Sequence, residues 1–386
     1  MASGKSSTYR LRLPGPTAVP ECVRMAMTAP MVSHRGPEFK EILIEAATHA
    51  QPVFGTSNDV LFFASSGTGV MEASLANILG EGDKALVVSN GQFGERFMLI
   101  AESLGLQAEA IEAPWGETVS PEAVARRLKE NDYQAVVAVH NESSTGAVAD
   151  LEALGAVVAA TPAVLVVDSV SGLGGIEMHQ DDWGIDVVAS ASQKALMCPP
   201  GLGLVSVSDK AWKVIENGRR RSGFYWDFLK ARDAAAKGQT AFTSPMPLIL
   251  ALREALRMID EEGLPHVLAR HRRLAAAMRA GGQALGFSIF TKAPLISDTV
   301  TVFMLPDGLD GAAVVRHMYE RYGTVIGGSR TKLQGRVIRI GTMGSCNEED
   351  IRTDLEHLER TLSDLGWPVE RGTGVAAVNA ALLEAA

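Results

Sequence analysis

The sequence predicts an α/β fold built on a parallel sheet with both faces covered, and three observations carry that prediction. Between about residues 59 and 208, short β-rich runs alternate with helical patterns. The runs are apolar at nearly every position, so neither face is left for water and helices must cover both. Apolar residues make up 46% of the chain and aromatics only 6%, the balance of an Ala/Gly/Val/Leu-rich globular protein and not of a disordered one. With 386 residues there is enough chain for one large domain and a smaller one.

In order, the strands read VLFFAS, KALVVS, AVVAVH, AVLVVD, DVVAS and LGLVSVS. The helical patterns between most of them include GVMEASLANIL, GERFMLIAESLG, SPEAVARRLKEN and LEALGAVVAA. After residue 208 the texture changes. Two long helical stretches, PLILALREALRMIDEEG and HVLARHRRLAAAMRAGGQALG, lead to a second α/β unit with strands FSIF, TVTVFML, GTVIGG and RVIRIG and a closing helix, EEDIRTDLEHLERTLSDLG. The expected division is an N-terminal arm at 1–20, a large domain at 21–264, a small domain at 265–370 and a helical appendage at 371–386.

The net charge of −9 and the lack of a basic stripe argue against a nucleic-acid partner; the triplet Arg219, Arg220, Arg221 reads as a solvated helix end. Cys22, Cys198 and Cys346 lie far apart without a CxxC, so spacing supports neither a disulfide framework nor a zinc site and fits a reducing compartment. The first residues lack the apolar core of a signal peptide, and every long apolar run is broken by charge well short of a membrane span. A soluble, cytoplasmic protein is expected.

Ligands of such sheets collect beyond the carboxyl ends of the strands, so those ends are where chemistry is sought. Lys194 follows one apolar strand and precedes another. Desolvation lowers a lysine's pKa and makes its amine a nucleophile for an aldehyde; the alternative is a head group that snorkels past the Pro-Pro-Gly turn. Asp168 closes AVLVVD as a cap, a metal ligand or the partner of a cationic ring, and no clustered second ligand supports a metal. SSGTG before VMEASLANILG leaves backbone N–H groups, with the hydroxyls of Ser66 and Thr68, at a helix start: an anion cup, or only an N-cap. Phe93 is either core filler or a surface for stacking a planar ring. His140 ends a strand as a satisfied polar terminus or a site residue, and Arg339 within VIRIG needs a carboxylate acceptor from protein or ligand. Together, a Schiff-base lysine, a strand-end carboxylate, an anion cup and a stacking aromatic match one ligand, pyridoxal 5′-phosphate.

At this point the chain resembles the class V aminotransferases of fold type I, in the alanine–glyoxylate, serine–glyoxylate and serine–pyruvate branch. The carriers are PGPT at 14–17, HRGPEF at 34–39, SGTGVMEA at 66–73, NGQFGER at 90–96, HNESSTG at 140–146, VDSVSGLGG at 167–175, SASQKALMCPPG at 190–201 and VIRIGTMG at 337–344. The resemblance implies a large domain with a mostly parallel seven-stranded sheet, a smaller C-terminal α/β domain, and a homodimer with shared active sites. It implies that Lys194 holds the cofactor as a Schiff base and that Asp168 pairs with the pyridinium. Ser66, Gly67, Thr68 and Gln193 would bind the phosphate, Phe93 would stack on the ring, and Ser143 would sit near the ring's phenolic oxygen and the substrate. Arg339 would grip the substrate carboxylate, with Gly15 of the PGPT segment beside it. Thr243 would reach the phosphate of the neighbouring subunit's cofactor. The activity implied is transfer of an amino group from a small amino acid, alanine or serine, to glyoxylate or pyruvate.

Two departures from relatives stand out: Phe93 where some have tryptophan, and Thr240 where some have tyrosine. The rival readings are a pyridoxamine–pyruvate or 2-aminoethylphosphonate type aminotransferase, a cysteine desulfurase-like lyase, and a non-catalytic scaffold. The lyase wants a histidine before the lysine and a cysteine on a mobile loop, whereas Gln193 precedes Lys194 and Cys346 lies beyond the Arg339 strand.

Overall fold

The computed structural model describes residues 9–218, 223–329 and 331–384, and the arginine triplet at 219–221 falls outside them. The described chain begins with strand β1 (Arg10–Arg12) and helices α1 (Glu21–Ala26) and α2 (Pro37–Phe54). The alternation follows: β2 (Val60–Ser65), α3 (Gly67–Ile78), β3 (Lys84–Ser89), α4 (Gln92–Ser103), β4 (Gln107–Glu112), α5 (Pro121–Glu130) and β5 (Ala135–Val139). A short hairpin, β6 (Asn141–Glu142) and β7 (Ala147–Val148), leads to α6 (Leu151–Ala159), β8 (Val164–Asp168), β9 (Val187–Ala191) and β10 (Gly201–Val207). Helices α7 (Asp209–Asn217), α8 (Phe228–Ala235), α9 (Met246–Glu262) and α10 (Leu264–Ala284) come next. The remainder is β11 (Ser288–Ile289), β12 (Val300–Met304), α11 (Gly311–Tyr322), β13 (Thr324–Gly328), β14 (Val337–Gly341), α12 (Glu348–Asp364) and α13 (Thr373–Glu384).

Seven strands form the large sheet in the order β2-β10-β9-β8-β5-β3-β4. All neighbours are parallel except at β10, which runs antiparallel to both β2 and β9. The reversal has a plain cause. Residues 192–200 join β9 to β10, too few for the crossover that parallel strands need. Alternate residues of β5 enter opposite cores: Val136 and Ala138 pack in the layer with Leu43 of α2 and Leu252 of α9. Ala135 and Val137 pack in the layer with Met71 of α3 and Phe97 of α4. Both faces are covered, as the unbroken apolar runs require. The edge strand β4, QAEAIE, escapes a search for apolar runs because none of its residues is fully buried and polar residues are interspersed with apolar ones.

The second sheet runs β1-β13-β14-β12-β11. Its first strand comes from the N-terminal arm, which pairs in parallel with β13. Arg12 Nε lies 2.8 Å from Asp354 of α12, and Arg10 adds a 3.1 Å contact to the same carboxylate. Helices α10, α12 and α13 close a separate core through Leu274, Met278, Leu355 and Val378. The α9–α10 joint is Gly263, at φ 83°. On the large sheet, β5, β8 and β9 end side by side, with Val139 opposite Asp168 and Asp168 opposite Ala189. That register sets the lysine loop beside Asp168.

Candidate active site

Lys194 sits in the tight loop between β9 and β10. The loop is pinned from within: Ser192 Oγ donates to the Pro199 carbonyl at 2.7 Å, and the Met197 N–H to the Lys194 carbonyl at 3.0 Å. Met197 is held at φ 57°, a left-handed conformation that costs a branched or long side chain about 1 kcal/mol. From outside, the PGPT segment straps it down. Thr17 donates its N–H to the Gln193 carbonyl and its hydroxyl to the Lys194 carbonyl, and Lys194 Nζ donates to the Pro14 carbonyl. Gly15, at φ 115°, lies so close to the lysine side chain that a Cβ would overlap it, so only glycine fits. Burial pulls the Lys194 ammonium down to about 8; Asp168 opposes the shift, and Arg339 and Arg96 add to it.

Asp168 is 3% exposed at the end of β8. Its Oδ1 accepts from the Val170 N–H at 2.8 Å, and no other bond to its carboxylate is present among the described residues. Burial raises it to about 6; the Val170 N–H opposes, Glu142 adds, and Lys194 and Arg96 oppose.

The helix start follows β2. Ser66 is the N-cap of α3, with a side chain that makes no capping bond, and the first N–H groups of the helix have no helical acceptor. Gly67 presses against Val170, just past Asp168, and Thr68 Oγ1 accepts from Arg96 Nη1 at 3.0 Å. The Gln193 side-chain oxygen is buried with no partner. The free N–H groups of the helix start suit an anionic arm, the enclosed and partly neutralised amine suits an aldehyde, and the half-satisfied Asp168 carboxylate suits a ring cation, the combination of groups that a pyridine aldehyde phosphate carries.

A cleft of about 760 Å³ opens above, lined by Gly15, Phe93, Ser143, Lys194 and Arg339 among others. The structure thus brings five of the sequence-predicted residues to one cavity, with Asp168 and the α3 start adjoining it. Arg339, in the middle of β14, donates from Nε and Nη2 to the Gly328 carbonyl at 3.0 and 2.7 Å and from Nη1 to the Ser143 carbonyl at 3.0 Å. That fixes its fork against the β6–β7 hairpin. Thr243 is not at this cleft: it lies in the 241–245 stretch beside Phe63, Ala64 and Tyr225. His140 is the satisfied terminus, its Nδ1 2.8 Å from Ser169 Oγ, and burial takes it down to about 4.

Two residues went without a role in the sequence reading. Glu142 is fully buried at the end of β6. Its Oε2 accepts from the N–H groups of Phe93 and Gly94, and its Oε1 from the N–H and hydroxyl of Ser144. Helix α4 therefore has its first turn capped from the hairpin and not from its own Gly91 N-cap. Arg96 is the other. The available signals are a carboxylate three residues beyond the apolar strand AVVAV, and a cation one helical turn beyond Phe93.

The fold and the lysine cleft together define an enzyme of the pyridoxal-phosphate transferase class. Residues 20–351 match the family model for aminotransferase class-V, and the chain belongs to that family. It is a pyridoxal phosphate-dependent aminotransferase, related to the alanine–glyoxylate and serine–glyoxylate enzymes. The small subunit of soluble hydrogenase from Synechococcus sp. (strain PCC 6716) is 38% identical over 96% of this chain and 98% of its own. The serine–glyoxylate aminotransferase of Methylorubrum extorquens is 36% identical, with 99% of this chain and 98% of that protein covered. The crystal structure of ureidoglycine–glyoxylate aminotransferase from Bacillus subtilis superposes with a TM-score of 0.92 at 30% identity, covering 98% of this chain and 99% of that one.

Proposed function

We propose that this aminotransferase moves the amino group of a small amino acid, serine or alanine, to glyoxylate or pyruvate in two half-reactions, the first product leaving before the second substrate binds. The observation that carries the reading is the single cleft holding Lys194 and Arg339, above Asp168. The named serine–glyoxylate and ureidoglycine–glyoxylate relatives share glyoxylate and differ in donor, which favours glyoxylate as acceptor.

When bound, pyridoxal 5′-phosphate supplies an aldehyde for amines and a protonated ring that withdraws electron density from the substrate Cα. Lys194 would hold that aldehyde. Its Nζ, when neutral, would take the proton from the substrate Cα, a role suited to a group brought down to about 8. Asp168 would keep the ring nitrogen protonated, using the carboxylate oxygen that Val170 leaves open. Ser66, Gly67, Thr68 and Gln193 would receive the phosphate, Phe93 would stack on the ring, Ser143 would face the phenolic oxygen, and Arg339 would take the substrate carboxylate with Gly15 alongside. Thr243 serves the site of a second copy in a homodimer. Its place outside its own cleft supports this, as does the neighbouring aromatic cluster, in which the exposed Tyr225 stacks on Phe242 and the exposed Phe224 packs against the same ring at a tilt. We divide the chain at the Gly263 joint, into the bodies 21–264 and 265–370, and place the protein in the cytoplasm, as its three free cysteines suggest.

The lyase reading finds little to act with: Cys346 is 2% exposed and burial pushes its thiol up to about 12. A half-reaction screen tests the proposal. Serine or alanine should bleach the visible absorbance of the loaded enzyme with release of one equivalent of the matching 2-oxo acid, and glyoxylate should restore it. Loaded enzyme left unchanged by every amino acid tried would overturn it.

A further inference from the structure

We propose that Arg96 is a phosphate-binding residue, the cation of the anion cup at the start of α3. The argument begins with charge. A phosphate monoester carries about −1.5 to −2 at neutral pH, and a helix N-terminus offers roughly half a positive charge. Ser66, Gly67, Thr68 and Gln193 add dipoles but no cation. Two guanidinium groups act on Lys194, Arg339 and Arg96. Arg339 lies across the cleft on β14, anchored to the Gly328 and Ser143 carbonyls where a substrate carboxylate is expected. Arg96 lies at the cup. Its charge acts on Asp168 and Lys194 alike, and its Nη1 donates to Thr68 Oγ1 at 3.0 Å.

That bond also orients the cup. A threonine hydroxyl has one proton to donate. With Arg96 donating to its oxygen, the Thr68 proton is free to point to an anion, and the adjacent guanidinium strengthens it as a donor. Arg96 has a second contact: its guanidinium carbon is 4.5 Å from the centroid of the Phe93 ring, one turn back on α4. One side chain thus ties the helix that carries the ring-stacking surface to the helix that carries the cup. The ligand chemistry is the phosphate ester arm of the cofactor, so the inference rests on the cofactor site proposed above.

Two ligands that differ only in that arm separate the inference from the site reading. Cofactor-free wild type, Arg96→Gln and Arg96→Lys are titrated with pyridoxal 5′-phosphate and with unphosphorylated pyridoxal, following absorbance. For R96Q the affinity for the phosphorylated form should fall at least about tenfold and that for pyridoxal by less than threefold, with R96K recovering most of the loss. An equal fall for both ligands would make Arg96 a support for Phe93 alone and overturn the proposal, as would no fall at all. If R96Q does not fold, Arg96→Met, which keeps an apolar stem over Phe93 but no charge, takes its place: a larger loss for the phosphorylated ligand supports the inference, and equal losses or none overturn it. Wild type that takes up neither ligand would instead sink the site reading on which the inference stands.

Discussion

Lys194 is held where a lysine is poorly solvated, under a proline carbonyl, against a glycine with no room for a side chain, and within reach of two guanidinium groups. The consequence is an amine that is a usable nucleophile near neutral pH. The free amine reacts and the ammonium does not, so reactivity rises as pH passes through the group's pKa. Competitive labelling of the cofactor-free protein with trace acetic anhydride, read peptide by peptide, should give Lys194 a midpoint near 8. A midpoint at the ordinary 10.5 would show that the enclosure fails to desolvate it. The lysine itself was legible from its place between two apolar strands. Its enclosure was not, because the strap comes from residues 14–17, nearly 180 positions away along the chain.

At the scale of elements, Glu142 welds the β6–β7 hairpin to α4. Four hydrogen bonds from three backbone N–H groups and a hydroxyl converge on its two oxygens and oppose the upward pull that burial exerts on its pKa, which stays raised on balance. The joined pieces matter because one carries Phe93 and the other presents the Ser143 carbonyl to Arg339. In Glu142→Gln an amide NH₂ must face N–H donors on one side. The expected cost is on the order of 2–4 kcal/mol in denaturant unfolding, with weaker cofactor binding. Unchanged stability and affinity would contradict this role. The sequence showed the strands well wherever both faces are buried, as in β5 and β8, since nothing but an apolar run survives there. It hid β4, whose residues are half-solvated, and the direction of β10, which loop length decides and hydropathy does not. Glu142 and Arg96 stand inside the HNESSTG and NGQFGER motifs, and the local signals mark them as polar residues near a strand end and an aromatic; the partners that define their roles, Phe93 and Thr68, are 49 and 28 residues away, beyond the reach of a local pattern.

Across the whole molecule, three separated parts meet at one amine. The large sheet delivers Asp168 and the lysine loop. The small sheet delivers Arg339. The N-terminal arm is stitched into that small sheet by β1 and by the Arg12–Asp354 pair, and from there it delivers Pro14 and Gly15. Any movement of the small sheet against the large one would therefore shift Arg339 and the lysine's cover together, which suits a site that must admit two substrates in turn. The central claim is that this convergence serves a covalent bond from Lys194 to the cofactor. Borohydride reduction of the loaded enzyme, followed by peptide mapping, tests it most directly. One pyridoxyl group per chain on the peptide containing Lys194 is the expected result; a label on any other lysine, or none, would contradict the account.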